Sequence, residues 1–338
     1  MTKAQKLTIE LLRSAIMGME MNPEFVSSLT EDDWKTAYST VRKHGIAALT
    51  FPPIEKLTKN TALPKNLLLN WCGQMLIQAD SFSVRRKAID ELCSLWEDAG
   101  IVVTELKGNS IGKFYPNPEL RYSCDFDCFL SDYETGNRLV ENQGVKVNRD
   151  FYKNSAFTWK GVYVENHQFC TPVRGNGAMK RFERQLRKLI GTADFDALFL
   201  MEHMWAHFFE DALSLKQLTD WAVLRLNCWK DVDENLFEQA ARACGFWRFA
   251  QSINQITELL LQPGNEMIFQ DASTQRLWES ILEIGGSVEM NRGWKTRFQL
   301  VANYFSNMWK YREFSNHSAI YTLLRTCIAF VFDRNPKI

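Results

Sequence analysis

Apolar positions in the first hundred residues recur at helical spacing, with Leu7, Ile9, Leu11, Leu12 and Ile16 forming one such face. Thr30, followed by Glu31, Asp32 and Asp33, is an N-cap with an acidic first turn. It predicts a helix running to about His44 and stopping at Gly45. Thr50-Phe51-Pro52-Pro53 predicts a break, and a long helix is expected from near Pro64 to Asp98.

The period then shortens. Ile101 to Leu106 is β-branched and bounded by glycines, which predicts a strand. Lys107-Gly108-Asn109-Ser110 reads as a turn into a short helix that ends at Pro116-Asn117-Pro118. Cys124 to Leu130 is a second expected strand, followed by a helix from about Asp132 to Asn142 and a third strand near Val145 and Val147. Residues 156–169 read as a hairpin turning at Lys160-Gly161. From about Met179 the pattern is helical again. Ala193 to Leu213, Leu215 to Trp229 and Val232 to Leu261 are three expected helices. Two or three more lie between Thr274 and Phe332, separated by Gly285-Gly286 and Asn291-Arg292-Gly293. The chain is therefore expected to be α+β, with a helical region over 1–100, a small α/β core over 101–178 and a second helical region over 179–338.

Composition narrows the function classes. Forty Lys plus Arg balance forty Asp plus Glu across 338 residues, so formal net charge is zero. A binder of long nucleic acid usually carries a basic excess, and none is expected as a partner here. Apolar runs such as Ile328 to Phe332 fall far short of the roughly 20 residues needed to span a bilayer. Glu10 and Arg13 interrupt the N-terminal apolar stretch, which reads as an amphipathic helix and not a secretory signal. Eight cysteines without a CxxC spacing are expected to be buried free thiols, which suits the cytoplasm.

Candidate chemistry concentrates between Leu106 and Leu130. On a strand, Asp125 and Asp127 project to one face, while Cys124, Phe126 and Cys128 point to the other, toward the core. Neighbouring carboxylates repel each other unless a cation lies between them, and Mg²⁺ with substrate phosphates answers that geometry. Glu165 and His167 share a face on the expected neighbouring strand, and Glu165 is the leading third acid, with Asp150 and Glu141 as alternatives. His167 reads either as a partner of the ligands or as an ordered polar residue. Two metals at Asp125, Asp127 and Glu165 would activate an attacking hydroxyl and stabilise a leaving pyrophosphate. Gly108 would admit backbone amides to a triphosphate, Ser110 could add a hydroxyl, and Lys107 and Arg121 are candidates to neutralise phosphate charge.

Those residues resemble the uncharacterised nucleotidyltransferase family of the polymerase-β-type superfamily. The resemblance rests on Leu106-Lys107-Gly108, Tyr115 to Pro118, Arg121, Asp125-Phe126-Asp127, and the later Val164-Glu165 with His167. His203 to His207 and Asp220-Trp221 resemble its helical segment. The family implies a small mixed sheet flanked by helices, Mg²⁺ (two ions, with Mn²⁺ as a substitute) and a nucleoside triphosphate such as ATP. The implied reaction moves a nucleoside monophosphate to a hydroxyl of an unknown acceptor, a small molecule or protein, and releases pyrophosphate. The implied metal ligands are Asp125, Asp127 and Glu165, and the implied nucleotide-binding residues are Lys107, Gly108, Asn109, Ser110 and Arg121. The wider superfamily prefers Gly-Gly or Gly-Ser where this chain has Gly108-Asn109-Ser110. That departure motivates an alternative: a member of the fold that binds nucleotide or protein without catalysis. Transfer of a terminal phosphate is a third reading.

Other features read more plainly. His203 and His207 are one turn apart, a possible zinc spacing, but they lie among Met204, Trp205, Phe208 and Phe209 and read as core. Asp220 reads equally as reaching the site or as a buried acid. Lys180, Arg181, Arg184, Arg187 and Lys188 form a basic helix face opposite Phe182, Leu186 and Leu189.

Overall fold

A capping box formed by Thr2 and Gln5 opens the first helix, α1 (Lys3–Met17), in the computed structural model. The structure describes residues 1–57, 61–210, 212–263, 267–283 and 307–333. A short α2 (Pro23–Ser27) precedes α3 (Glu31–Lys43), which Thr30 caps with Asp33 and which gives way at Gly45, as its sequence signals predict. Thr50 to Pro53 is not a break. Phe51–Glu55 is a helix, α4, and its prolines occupy the first turn, where a missing N–H is no loss. The long helix α5 spans Lys65–Glu97.

Four strands form one mixed sheet: β1 (Val103–Glu105), β2 (Asp125–Leu130), β3 (Asn154–Trp159) and β4 (Val162–His167). Their spatial order is β1-β2-β4-β3, with β2 parallel to β4 and both other pairings antiparallel. Between β1 and β2 lie α6 (Gly108–Gly112) and a single 3-10 turn, and α7 (Tyr133–Asn142) follows β2. The β3–β4 hairpin turns on Lys160 and Gly161, both at positive φ, the conformation a two-residue turn needs to match strand twist. The third strand expected near Val145 and Val147 does not form; only Asn148 makes an isolated bridge, to Ala156.

One face of this sheet is core. Phe126, Cys128, Val164, Phe157 and Trp159 pack with Ala88, Ile89, Leu92 and Trp96 of α5 and Val140 of α7. Cys124, expected among them, lies outside the strand and is exposed. Behind β4, Ser155 Oγ and Asn166 Nδ2 both donate to Asn137 Oδ1, at 2.7 and 3.0 Å. These buried bonds tie α7 to β3 and β4 and fix the register that sends Glu165 and His167 to the opposite face.

The remaining described helices are α8 (Gly177–Leu189), α9 (Ala193–Glu210), α10 (Leu215–Cys228), α11 (Glu234–Cys244), α12 (Trp247–Leu261), α13 (Ala272–Leu282), α14 (Met308–Phe314) and α15 (Ala319–Phe332). The single helix expected over Val232 to Leu261 is two, because Gly245 adopts a left-handed C-cap after Cys244. The expected separators Gly285-Gly286 and Asn291-Arg292-Gly293 lie outside the described residues. The whole is an α+β fold, a mixed sheet with flanking helices and helical regions on both sides in sequence.

The chain divides into two compact units. The first comprises Met1–Gln168, Ser214–Lys230 and Thr257–Ile268, and so contains the sheet and α10. In it, buried Arg13 donates to the carbonyls of Leu259 and Leu260 and satisfies a helix end. The second comprises Phe169–Leu213, Asp231–Ile256 and Phe269–Ile338. Its core is aromatic, with Phe208 against Phe249 and Phe314 at centroid distances of 5.4 and 5.5 Å. On α8, Phe182 and Leu186 are buried, as is Glu183, which accepts the backbone N–H groups of Cys170 and Thr171. No helix among the described residues is long and apolar enough to cross a membrane.

Candidate functional site

The face of the sheet turned away from the α5 core carries the acids. Asp125 pairs in register with Tyr163, Asp127 with Glu165, and Phe129 with His167. Because side chains alternate along a strand, all six project to this one face. β1 delivers a cation to it. The Leu106 N–H donates to the Asp127 carbonyl at 2.9 Å, and the chain then turns sharply at Lys107.

Asp127, Glu165 and His167 form the tight cluster, each offering a ligand atom within 4.8 Å of the others. Asp127 is buried, and its Oδ1 accepts from Lys107 Nζ at 2.6 Å and from His167 Nε2 at 2.8 Å. An ionised carboxylate can only accept, so the imidazole donates from Nε2. Glu165 Oε2 lies 3.5 Å from the same nitrogen and is more accessible than Asp127. Burial by itself raises the Asp127 pKa. The His167 hydrogen bond and the Lys107 charge outweigh it, and hold the carboxyl well below the usual carboxylate range.

Asp125 shares the face but not the cluster: its backbone carbonyl accepts from Arg85 Nη2 at 3.0 Å, and the Cys124 thiol lies 3.7 Å from its Oδ1. Asp125 and Asp127 share the face, as the strand period predicts, and Glu165 and His167 gather at the Asp127 end of it. The register explains this, since β4 runs parallel to β2 and sets Tyr163 beside Asp125.

The turn that follows β1 is strained. Lys107 has φ 55° and ψ −129°, a conformation that costs a residue other than glycine about 1–3 kcal/mol. Ser110 Oγ donates to the Lys107 carbonyl at 2.8 Å and braces it. Asn109 continues α6, and its side chain lies outside the described residues. Gly108 has a second reason to be glycine. A Cβ there would stand 1.6 Å from Nη2 of Arg121.

Arg121 thus lies against the turn as a buried brace. Its Nε and Nη2 donate to the two oxygens of Asp220 at 2.7 and 2.8 Å, and Tyr115 Oη donates to Asp220 Oδ1 at 2.6 Å. Burial opposes the guanidinium's charge, but Asp220 more than compensates and raises its pKa. Burial likewise raises the Tyr115 hydroxyl, with Asp220 adding to it. The sequence marks Tyr115 as part of the family pattern but not as a partner of Asp220, and Asp220 there has two equal readings. Arg121, expected to neutralise phosphate, is held by Asp220.

Among the described residues, His203 and His207 belong to no three-ligand group; their rings meet edge to face at 4.3 Å. All eight cysteines are free, with Cys128, Cys170 and Cys228 buried.

The parallel pair of this mixed sheet carries Asp125, Asp127, Glu165 and His167 on one face beside a strained Lys-Gly turn, an α+β arrangement with a candidate metal centre. A family model described as "Uncharacterised nucleotidyltransferase" matches residues 30–262, and the chain belongs to that family. No curated protein and no solved structure matches the chain. Two carboxylate oxygens beside an imidazole are a donor set that a divalent cation can use.

Proposed function

We propose that this protein is a metal-dependent nucleotidyltransferase that moves a nucleoside monophosphate from an NTP to an acceptor hydroxyl. The observation that carries the reading is the convergence of Asp127, Glu165 and His167 beneath Lys107 in a chain of this family. The residues that would hold Mg²⁺ or Mn²⁺ are Asp127 and Glu165, joined by His167 where Nε2 has given up its proton, with Asp125 beside them on the same face. The cation supplies Lewis-acid stabilisation of charge developing on the phosphoryl oxygens.

The protein's own groups do the rest. Glu165, more accessible than Asp127, accepts the acceptor's proton as its oxygen bonds to the α-phosphorus. The bond from that phosphorus to the bridging oxygen breaks, and pyrophosphate leaves with the electron pair. Lys107 stands beside Asp127 to neutralise phosphate as charge builds, and the Gly108–Ser110 backbone approaches the nucleotide. Arg121, Asp220 and Tyr115 hold that turn in place. Balanced charge favours a small molecule or protein as acceptor over a long nucleic acid, and free thiols favour a cytoplasmic setting.

One observation favours a second reading, a nucleotide-binding member without catalysis. Asp127 Oδ1 already receives both Lys107 and His167, so the acid is neutralised from within. The two readings differ in product. Purified protein is incubated with Mg²⁺ and each NTP, labelled at the α- or the γ-phosphate, together with cell-extract fractions as acceptor. Transfer of α-label with pyrophosphate release, abolished in Asp127→Asn, is the expected result. Transfer of γ-label indicates phosphoryl transfer. Metal-dependent NTP binding with no release across all fractions selects the second reading, and no binding to any NTP sinks both.

A further inference from the structure

Four cations approach the Asp125–Asp127 segment of β2, and two are taken up by carboxylates. Lys107 is held by Asp127 and Arg121 by Asp220. Lys216 differs. It is partly buried, its Nζ lies 5.6 Å from the centre of the Tyr122 ring, and among the described residues no carboxylate stands within ion-pairing distance of it. Its position is well defined. Lys216 precedes Asp220 by one turn of α10, so the two share a side of that helix, and Asp220 is fixed against the Gly108 turn by Arg121 and Tyr115. Its stem packs beside Gly45, where a Cβ would meet Lys216 Cδ at 3.8 Å and the Tyr122 ring at 3.4 Å.

The surroundings are anionic at one end. Burial lowers the Lys216 pKa and Arg121 adds to that, while Asp220, Cys124 and Asp125 pull it upward. Arg85, from α5, approaches the same segment from its own helix. Its Nη2 donates to the Asp125 carbonyl at 3.0 Å, and its Nε is buried without a partner. Burial lowers the Arg85 pKa as well, opposed by Cys124, Asp125 and Tyr122. Withdrawing an ammonium from water without an ion-pair partner is unfavourable, and a polyanion arriving beside it offsets that cost.

Resting on the nucleotidyl-transfer reading, we infer that Lys216 binds the polyphosphate of the incoming nucleotide at the Asp125 end of β2. The site takes non-bridging phosphate oxygens as its ligands, and the acceptor hydroxyl is left to Glu165. Lys216 does not belong to the Lys-Gly turn, so it is a second source of phosphate contacts.

The test compares the full-length protein with Lys216→Met, Lys216→Gln and Lys216→Arg, each checked for folding by circular dichroism. Each is titrated with inorganic tripolyphosphate and with NTPs in Mg²⁺, and Mn²⁺ binding is followed separately by electron paramagnetic resonance. Loss of one charge-assisted contact is expected to weaken both phosphate ligands roughly 10- to 100-fold in the Met and Gln variants. Mn²⁺ affinity should stay near that of the wild type, and Lys216→Arg should recover most of the binding. Wild-type protein that binds Mn²⁺ but no NTP overturns the functional reading and this inference with it. Wild-type binding matched by the Met and Gln variants overturns the Lys216 subsite alone.

Discussion

The guanidinium of Arg121 fills the space where a side chain at position 108 would go, and Asp220 keeps it there with two short bonds. Gly108→Ala must therefore push a buried, bidentate ion pair apart, which a free surface arginine would not resist. We expect a loss of about 3 kcal/mol, the order seen when a buried pair is broken. Gly112→Ala is the control. A Cβ there meets only Arg121 Cδ at 3.7 Å, an ordinary contact, so that variant should be neutral or more stable by up to about 1 kcal/mol. Urea denaturation of both decides the matter, and equal midpoints would remove the brace from the account. The two partners also show what sequence can and cannot reveal. Lys107, Gly108 and Asp127 stand out because they fall on a local strand–turn–strand pattern. Asp220 lies 99 residues from Arg121, and only the folded chain brings them together. His167 was visible as a neighbour of Glu165 in the strand, but its bond to Asp127 depends on the parallel register of β2 and β4.

At the scale of elements, α10 is the support on which Lys216 and Asp220 ride, and its start is fastened twice. Ser214 and Gln217 form a capping box, and the Leu215 N–H donates to Nδ1 of buried His44 at 3.1 Å. Burial, with a smaller push from Lys43, lowers the His44 pKa to about 4. The unfolded chain titrates near the ordinary histidine value of about 6.5. Between those values the unfolded state binds more protons, so stability is full above about pH 6.5 and falls as the pH drops toward 4. The loss should reach about 2 kcal/mol by pH 5. His44→Gln, which keeps an acceptor but does not titrate, should flatten this part of the profile in urea midpoints taken from pH 7.5 to 5. An unchanged slope would remove His44 as the cause. Elements such as α3, α5 and the β3–β4 hairpin were legible because caps, prolines and turn residues act locally. Two signals had double meanings: prolines at 52 and 53 start a helix as readily as they end one, and Gly245 hides inside an otherwise continuous helical period. Sheet order is set by pairing across distant segments, and no local pattern carries it.

For the molecule as a whole, zero net charge means that no general field gathers polyanions, so the nucleotide binding we propose has to come from the site itself. That separates specific from non-specific ligands in a single measurement. A ligand that binds only the folded state stabilises it by about 2.7 kcal/mol at one hundred times its Kd. For a unit of this size the thermal midpoint should rise by about 5–10 °C. The rise should require NTP and Mg²⁺ together, because the acids of Asp127 and Glu165 need the cation before a polyphosphate can approach them. Single-stranded polynucleotide at the same phosphate concentration should give no comparable rise, since its affinity would depend on a basic surface excess that this composition lacks. Asp127→Asn should lose the NTP response while keeping a cooperative transition. A mutant that responds as the wild type does would place nucleotide binding away from the β2–β4 pair, and an equal response to polynucleotide would show that local charge outweighs the overall balance.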